Sequence, residues 1–331
     1  MGRTAVLLVL GLSALIGTYS YIINSTETEG TKNIAKFYYA AQARDIAHSS
    51  VNLVLHKLDE NIGVSGDTTF NGSFQGGSYT IKKKASADTV WLDVKSVYAD
   101  TNYAMKLKLL RYPKPFPVMV GAVNISSDSI SFSMNKNSEV NGNDTNPDGS
   151  AGPTAALPAV TVSTALDSAR VAASGGTLVG PSRVRTSPNL PRVTDYIDEY
   201  WAYATAVLPA SVSGNNVYGS TANPAILVRD GDLSISGGTT IYGILVVKGN
   251  LELKGTVNVY GMIIVYGETV AVDLNAASGT PQVYGGLLLT GPSHSSFSMN
   301  GTGNYYYSSK ALNDVKNAKA LRAYSVVEWW E

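Results

Sequence analysis

Residues 241–267 read IYGILVVKGNLELKGTVNVYGMIIVYG, a stretch that repeats itself. Ile241-Tyr242-Gly243, Val247-Lys248-Gly249, Leu253-Lys254-Gly255, Val259-Tyr260-Gly261 and Val265-Tyr266-Gly267 are triplets ending in glycine, each starting six residues after the last. Three steps make 18, and the aliphatic trios Ile226-Leu227-Val228, Ile244-Leu245-Val246 and Ile263-Ile264-Val265 recur at about that spacing. Short strands with an aliphatic side chain pointing inward, and a glycine wherever the backbone bends, stack as rungs of a β-solenoid. The pattern weakens outward, and the solenoid is expected over residues 225–307. The step from Tyr260-Gly261 to Tyr284-Gly285 is 24 residues, so six residues around 275–282 are expected to loop out. Such a regular stack is mainly a scaffold, which points to architecture rather than catalysis.

The composition agrees. The 331 residues are too many for one core of usual size, so two or three units are expected. Lys+Arg and Asp+Glu both total 25, so no basic excess argues for nucleic acid. There is no cysteine, which excludes disulfides, thiol catalysis and cysteine-bound metal centres.

The N-terminal part has a different character. Residues 5–23, AVLLVLGLSALIGTYSYII, carry no charge and are long enough to cross a bilayer as one helix. Arg3 before them places the N-terminus in the cytoplasm. A cleaved signal peptide is the competing reading, but Tyr19-Ser20-Tyr21-Ile22-Ile23-Asn24 is a poor cleavage site. From 31 to 58 the helix is expected to continue with an apolar face of Ile34, Phe37, Ala41, His48, Val51, Leu55 and Leu58, closed by residues 59–63. A continuous helix would run about 55 residues, roughly 80 Å, with Gly17, Ser20 and Gly30 as places to bend.

An uncharged helix running into Phe37-Tyr38-Tyr39-Ala40-Ala41-Gln42-Ala43 resembles the PilX-type minor pilins, and also the tip pseudopilin K of type II secretion. Those families place an alanine-rich segment at this distance from the membrane, with glutamate where Gln42 stands. The resemblance implies processing after Gly2, leaving Arg3 as the mature N-terminus. The mature fifth residue would then be Leu7 in place of the glutamate of major pilins, which suits a tip or assembly-initiating position. It implies helix packing in a filament through Gly11, Leu12, Ser13, Ala14 and Gly17. It also implies other pilins and minor pilins, with the inner-membrane assembly machinery, as partners. The order of elements in the rest of the chain is similar to that family as well.

Between the two ends, residues 79–84, 89–98 and 103–111 read as antiparallel strands covering the helix. Tyr112-Pro113-Lys114-Pro115-Phe116-Pro117 marks a boundary. Residues 126–134 alternate as a strand that opens the second unit. Residues 137–153 form a polar loop, and helices are expected at 164–173 and 194–208. The C-terminal segment from Tyr305 is expected to form a short helix capping the open end of the solenoid. The fold class is therefore α+β: a long N-terminal membrane and pilin helix on an antiparallel sheet, followed by a C-terminal β-solenoid. The expected domains are 1–24, 25–112, 113–224 (connecting α/β region) and 225–331.

Asp144-Thr145-Asn146-Pro147-Asp148-Gly149 matches the opening of a calcium loop, with Asp144, Asn146 and Asp148 as ligands. Its twelfth position is Ala155 rather than glutamate, and an Asx-rich surface turn explains the same residues. No cofactor other than this calcium is expected. Asp230 with Asp232, or Asp198 with Glu199, would be the acid pair of a polysaccharide-cleaving enzyme, but adjacent residues rarely face one reacting atom. His294 reads as a solvated loop residue, and His48 and His56 are eight apart and form no metal pair. The tyrosines at the rungs are expected to stack along the solenoid, with a carbohydrate-binding strip as the sharper reading. Trp329-Trp330 is expected to dock on the body or on a partner.

The sequence thus reads as a non-enzymatic, structural component of a type IV pilus or related filament. It would be a single-pass inner-membrane protein before assembly and part of a surface filament afterwards. The alternatives are a membrane-anchored surface adhesin or glycan binder, and an exported polysaccharide-active enzyme.

Overall fold

The computed structural model describes residues 2–59, 66–86, 88–276, 279–316 and 321–331, with the side chains of 2–9, 59, 113 and 322 outside the description. Two compact units emerge. One holds the chain up to Tyr112 together with Ala323–Glu331, and the other holds Pro113–Arg322.

The first unit is built on one helix, α1 (Gly2–Asp59), continuous through Gly17, Ser20 and Gly30. The expected closure of α1 at residues 60–63 lies outside the described residues. Strands β1 (Thr68–Phe74), β2 (Gly77–Ser86), β3 (Thr89–Tyr98) and β4 (Thr101–Pro113) pair antiparallel in sequence order. Alternation puts Tyr79 and Ile81 of β2, Val90, Leu92 and Val94 of β3, and Met105, Leu107 and Leu109 of β4 on one buried face. Against that face α1 lays Ala43, Ile46, Ala47, Val51, Val54 and Leu58, all buried. Their three- and four-residue spacing is that of a helix stripe. This corrects the expected face. Val51, Leu55 and Leu58 belong to it, but Ile34 and Phe37 are exposed, because above Ala43 the sheet meets the helix through Tyr98, which packs on Tyr38 and Tyr39 at 6.2 and 5.8 Å.

The fifth strand of this sheet comes from the far end of the chain. Arg322–Trp330 lies beside β4. Trp330 stacks on Trp91 with ring centroids 5.6 Å apart, Trp329 on His48 at 5.0 Å, and Glu331 pairs with Arg44 at 3.2 Å. Residues 113–322 are therefore an insertion between the last two strands of the sheet. The expected linear division at 224/225, with the C-terminus as a cap, is corrected accordingly.

In the second unit, among the described residues, every paired strand is parallel to its neighbour. The chain passes repeatedly through two sheets. Ala225–Asp230, Thr240–Lys248, Asn258–Tyr266 and Gln282–Thr290 are successive strands of one. Leu233–Ile235, Leu251–Lys254, Thr269–Asn275 and His294–Asn300 are successive strands of the other. Ile226 pairs with Ile244 and Ile244 with Met262, an 18-residue offset. The offset grows to 21 at Leu251↔Val272 and to 24 at Asn258↔Gln282. The six extra residues thus enter in two steps, half before Val272, rather than all around 275–282.

Gly243, Gly249, Gly255, Gly261 and Gly267 all have positive φ; Gly249, Gly255 and Gly267 follow directly on strands, while Gly243 and Gly261 lie within Thr240–Lys248 and Asn258–Tyr266. At Gly243, Gly261 and Gly285 a second constraint applies. These residues lie in register, and a Cβ on any of them would collide with the carbonyl oxygen of the residue below: Ala225, Gly243 or Gly261. Only glycine lets the passes close to strand-pairing distance there.

The region expected to be a separate connector, 113–224, is part of the same stack. Val123–Ser126, Ile130–Met134 and Glu139–Asn141 pair with Gln282–Thr290, His294–Asn300 and Asn304–Tyr307, forming a further pass beyond the last. Phe132 stacks on Phe297 at 5.0 Å. Val160–Val162 and Thr177–Val179 add one more layer. The helix Ala165–Ala172 packs against these end strands, with the Thr164 hydroxyl accepting from the Asp167 amide as its N-cap.

The helix expected over 194–208 is only a turn at Val193–Asp195 and a short helix Ile197–Ala202. From Thr205 onward the backbone is drawn into the parallel ladder, Ala206 pairing with Leu227. The helix Ser309–Lys316 does form, but it lies along the flank of three passes instead of over an open end.

Candidate functional site

Two surfaces stand out, one in each unit. In the first unit, α1 has no buried residue between Leu10 and Gln42. Its side chains there include large apolar ones, with Leu15 68% and Phe37 78% exposed. Gly11, Leu12, Ser13, Ala14 and Gly17 all lie on this exposed length, and nothing stands within 4 Å of where a Cβ on Gly11 or Gly17 would be. The hydroxyls on the same length bond back into the helix. Thr18 donates to the Ala14 carbonyl at 2.9 Å, Thr26 to Ile22 at 2.8 Å and Thr28 to Asn24 at 2.7 Å. These hydroxyls so bring their own partners and can enter apolar surroundings at little cost. Among the residues with described side chains, which begin at Leu10, no helix is long and apolar enough to cross a membrane. Ala5 to Val9 of the expected span fall outside that set. Gly2 and Arg3 lie at the start of α1, with side chains outside the description.

In the second unit the rung tyrosines form a ladder. Tyr242, Tyr260, Tyr284 and Tyr306 stack at centroid distances of 4.8, 5.6 and 5.1 Å. Burial pushes the phenols of Tyr260, Tyr284 and Tyr306 above their usual pKa, so they stay neutral. At the Tyr242 end of the ladder a cavity of about 440 Å³ opens between the polar loop, residues 220–224 and the helix Ser309–Lys316.

The polar loop does not present its three expected ligands to a common point. Asp144 is buried, and its two carboxylate oxygens accept from the Thr154 amide and hydroxyl (both 2.8 Å) and from the Ser309 amide (2.8 Å) and hydroxyl (2.7 Å). Burial alone would raise its pKa, but these hydrogen bonds outweigh that and hold it below the usual carboxylate range. Asp148 instead accepts from the Ser150 amide and hydroxyl, and Asn146 donates to that same hydroxyl at 3.0 Å. The loop is a network of Asx turns that ties residues 144–154 to the start of the helix at Ser309. Among the described residues no three His, Cys, Asp or Glu side chains gather as a metal site requires.

The other acidic candidates are engaged in the framework. Asp230 pairs with Lys248 at 3.5 Å on the next pass, and Asp232 accepts from the Asn250 amide at 2.8 Å. Glu199 binds the buried Lys114 at 2.9 Å, whose ammonium also lies over the Tyr203 ring. The Asp144–Ser309 and Lys114–Glu199 pairs escaped sequence reasoning because their members are far apart in the chain and neither makes a local motif. Tyr306 was readable from Tyr305-Tyr306-Tyr307, but not which of the three continues the ladder.

No protein-family model matches the chain. No curated protein matches it either. Among solved structures it is similar to the competence-associated pilin ComZ from Thermus thermophilus, at 9% identity, with 88% of this chain and 96% of that chain covered and a TM-score of 0.23. A superposition that loose carries no inference about fold or function.

Proposed function

We propose that this chain is a structural, non-catalytic subunit of a pilus-type filament, in which α1 packs among like helices and the stacked passes form a β-solenoid displayed on the outside. The observation that carries the reading is the division of α1. From Ala43 on it is covered by its own sheet, while the length from Leu10 to Gln42 leaves Leu10, Leu12, Leu15, Ile16, Ile34 and Phe37 bare. The apolar run up to Ile23 requires a cover, as do Ile34 and Phe37 beyond the polar residues 24–33, and one rod with a single capped end suits bundled helices. Small residues at Gly11, Ser13, Ala14 and Gly17 would let neighbouring helices approach closely. Before assembly the same surface would sit in the inner membrane, where the assembly machinery and other pilins meet it. Processing after Gly2, leaving Arg3 first, belongs to this reading.

A second reading, a surface protein held by lipid alone, draws on the same bare helix. Shear fractions from the native host separate the two. Filament membership predicts the protein in the sheared material with pilins, its native N-terminus at Arg3 by mass spectrometry, and loss of incorporation in Leu12→Asp with the soluble unit still folded. Retention of the whole pool in the membrane after shearing, with Leu12→Ala indistinguishable from wild type, would sink the filament reading.

A further inference from the structure

The tyrosine ladder ends abruptly, and its end is open. Tyr242 stacks on Tyr260 with one face, and among the described residues no ring covers the other. The register explains why. Tyr218 pairs with Ile241, so the position opposite Tyr242 on the preceding pass is Gly219, which has no side chain to continue the stack. The 440 Å³ cavity lies at this place, within the range of roughly 300–1,000 Å³ usual for small-ligand sites. Tyr242 lines it with the ring at the end of the ladder and Tyr260 with a ring edge, and Asp148, Thr221, Lys310 and Asp314 supply its polar groups.

The rim chemistry narrows the occupant. Two carboxylates stand against one ammonium, with Lys310 bridged to Asp314 at 2.9 Å, so phosphate, sulfate and acidic ligands are repelled. A lone organic cation would meet Lys310 and finds an aromatic face on one side only, rather than a cage. What fits is a flat ligand with an apolar face and a rim of groups that both donate and accept. The ring would lie on Tyr242, its hydroxyls donating to the carboxylates and accepting from Lys310 and Thr221.

We infer that the cleft beside Tyr242 is a binding site for a neutral pyranose unit of a glycan, which takes the place of the missing fifth ring of the ladder. The inference stands apart from the filament reading, because it uses only residues of the second unit.

The test uses the full-length chain in detergent, titrated with methyl glucoside, methyl galactoside and N-acetylglucosamine and followed by saturation-transfer NMR and tyrosine fluorescence. A single sugar of about a dozen heavy atoms should bind with a Kd on the order of 1 mM. Thr221→Trp, which fills the cleft from an exposed rim position, should abolish binding without changing the melting temperature. Tyr242→Ala should weaken binding about tenfold, and Tyr242→Phe should retain it. If Tyr242→Ala fails to fold, Thr221→Trp decides alone. No saturable binding by any of the three sugars, equal binding by Thr221→Trp, or saturation by choline instead would overturn the assignment.

Discussion

At the scale of the residue, the glycines of the stacked passes are not interchangeable with the glycines of the helix. Gly261 has φ of +140°, and a Cβ there would strike the Gly243 carbonyl and come 2.7 Å from the Val315 side chain. Gly261→Ala should therefore destabilise the second unit by at least about 2 kcal/mol, read as a fall in its melting temperature. Gly17→Ala meets open space on a helix and should raise helix stability by up to about 1 kcal/mol in the isolated chain. Asp144 offers a second contrast. Because its pKa is lowered on folding, its contribution is present above the unfolded value of about 4 and is lost as pH falls through the folded one. Asp144→Ala strands four donors and should cost about 3 kcal/mol near neutrality. It should also make the decline in melting temperature as pH falls below about 5 less steep than in wild type.

At the scale of the element, the strand Arg322–Trp330 covers what would otherwise be the bare edge of β4. Its hold comes from side chains as well as backbone. Trp91 is sandwiched against Trp330 while Lys106 and Lys108 approach its ring, and Lys108 also meets Glu328 at 2.7 Å. Removing residues 323–331 should leave β1 to β3 protected but speed amide hydrogen exchange along β4 by at least about tenfold, with new tendency to associate through that edge. Local patterns made much of this unit legible. The uncharged run and the three- and four-residue spacing gave α1, and alternation at 79–84, 89–98 and 103–111 gave three strands. The face of α1 differs from the expected one because spacing alone does not tell that Tyr38 and Tyr39, rather than Ile34 and Phe37, are the residues that meet the sheet at Tyr98. The last strand was missed as a strand because β4, its partner, lies more than 200 residues earlier and no turn links them.

At the scale of the whole molecule, the second unit is a stack whose order in space departs from its order in sequence. The chain first lays down the end passes at 123–141 and 160–179. It then starts again from the opposite end, at 206–218, and works back until Gln282–Thr290 meets Val123–Ser126. The 18-residue repeat between 225 and 266 was readable because each pass borders its immediate successor. The passes at 123–141 and 160–179 lack glycine triplets, pair with each other at an offset of 37 to 38 residues, and meet the rest of the stack through 123–141 some 160 residues away, so the 18-residue periodicity had nothing to report there. The Tyr242 cleft was equally hidden, since the polar loop and the helix Ser309–Lys316 reach it from opposite ends of the unit. Phe297, stacked on Phe132, sits at the seam where the two halves meet. Phe297→Ala should cost about 3–5 kcal/mol. Hydrogen exchange should then rise on Val123–Ser126 and Gln282–Thr290 together, while Ala225–Asp230 is affected less.

The Lys114 amide donates to the Leu321 carbonyl at 2.8 Å, so the place where the chain leaves the small sheet and the place where it comes back are neighbours. A polypeptide tethered at two adjacent points behaves like a bead on a clasp. Its size and shape can change, or the whole bead be exchanged for another, while the clasp still shuts. The stack is therefore a replaceable cargo: a short turn joining Tyr112 to Ala323 should yield a trimmed protein whose helix and five strands assemble unaided.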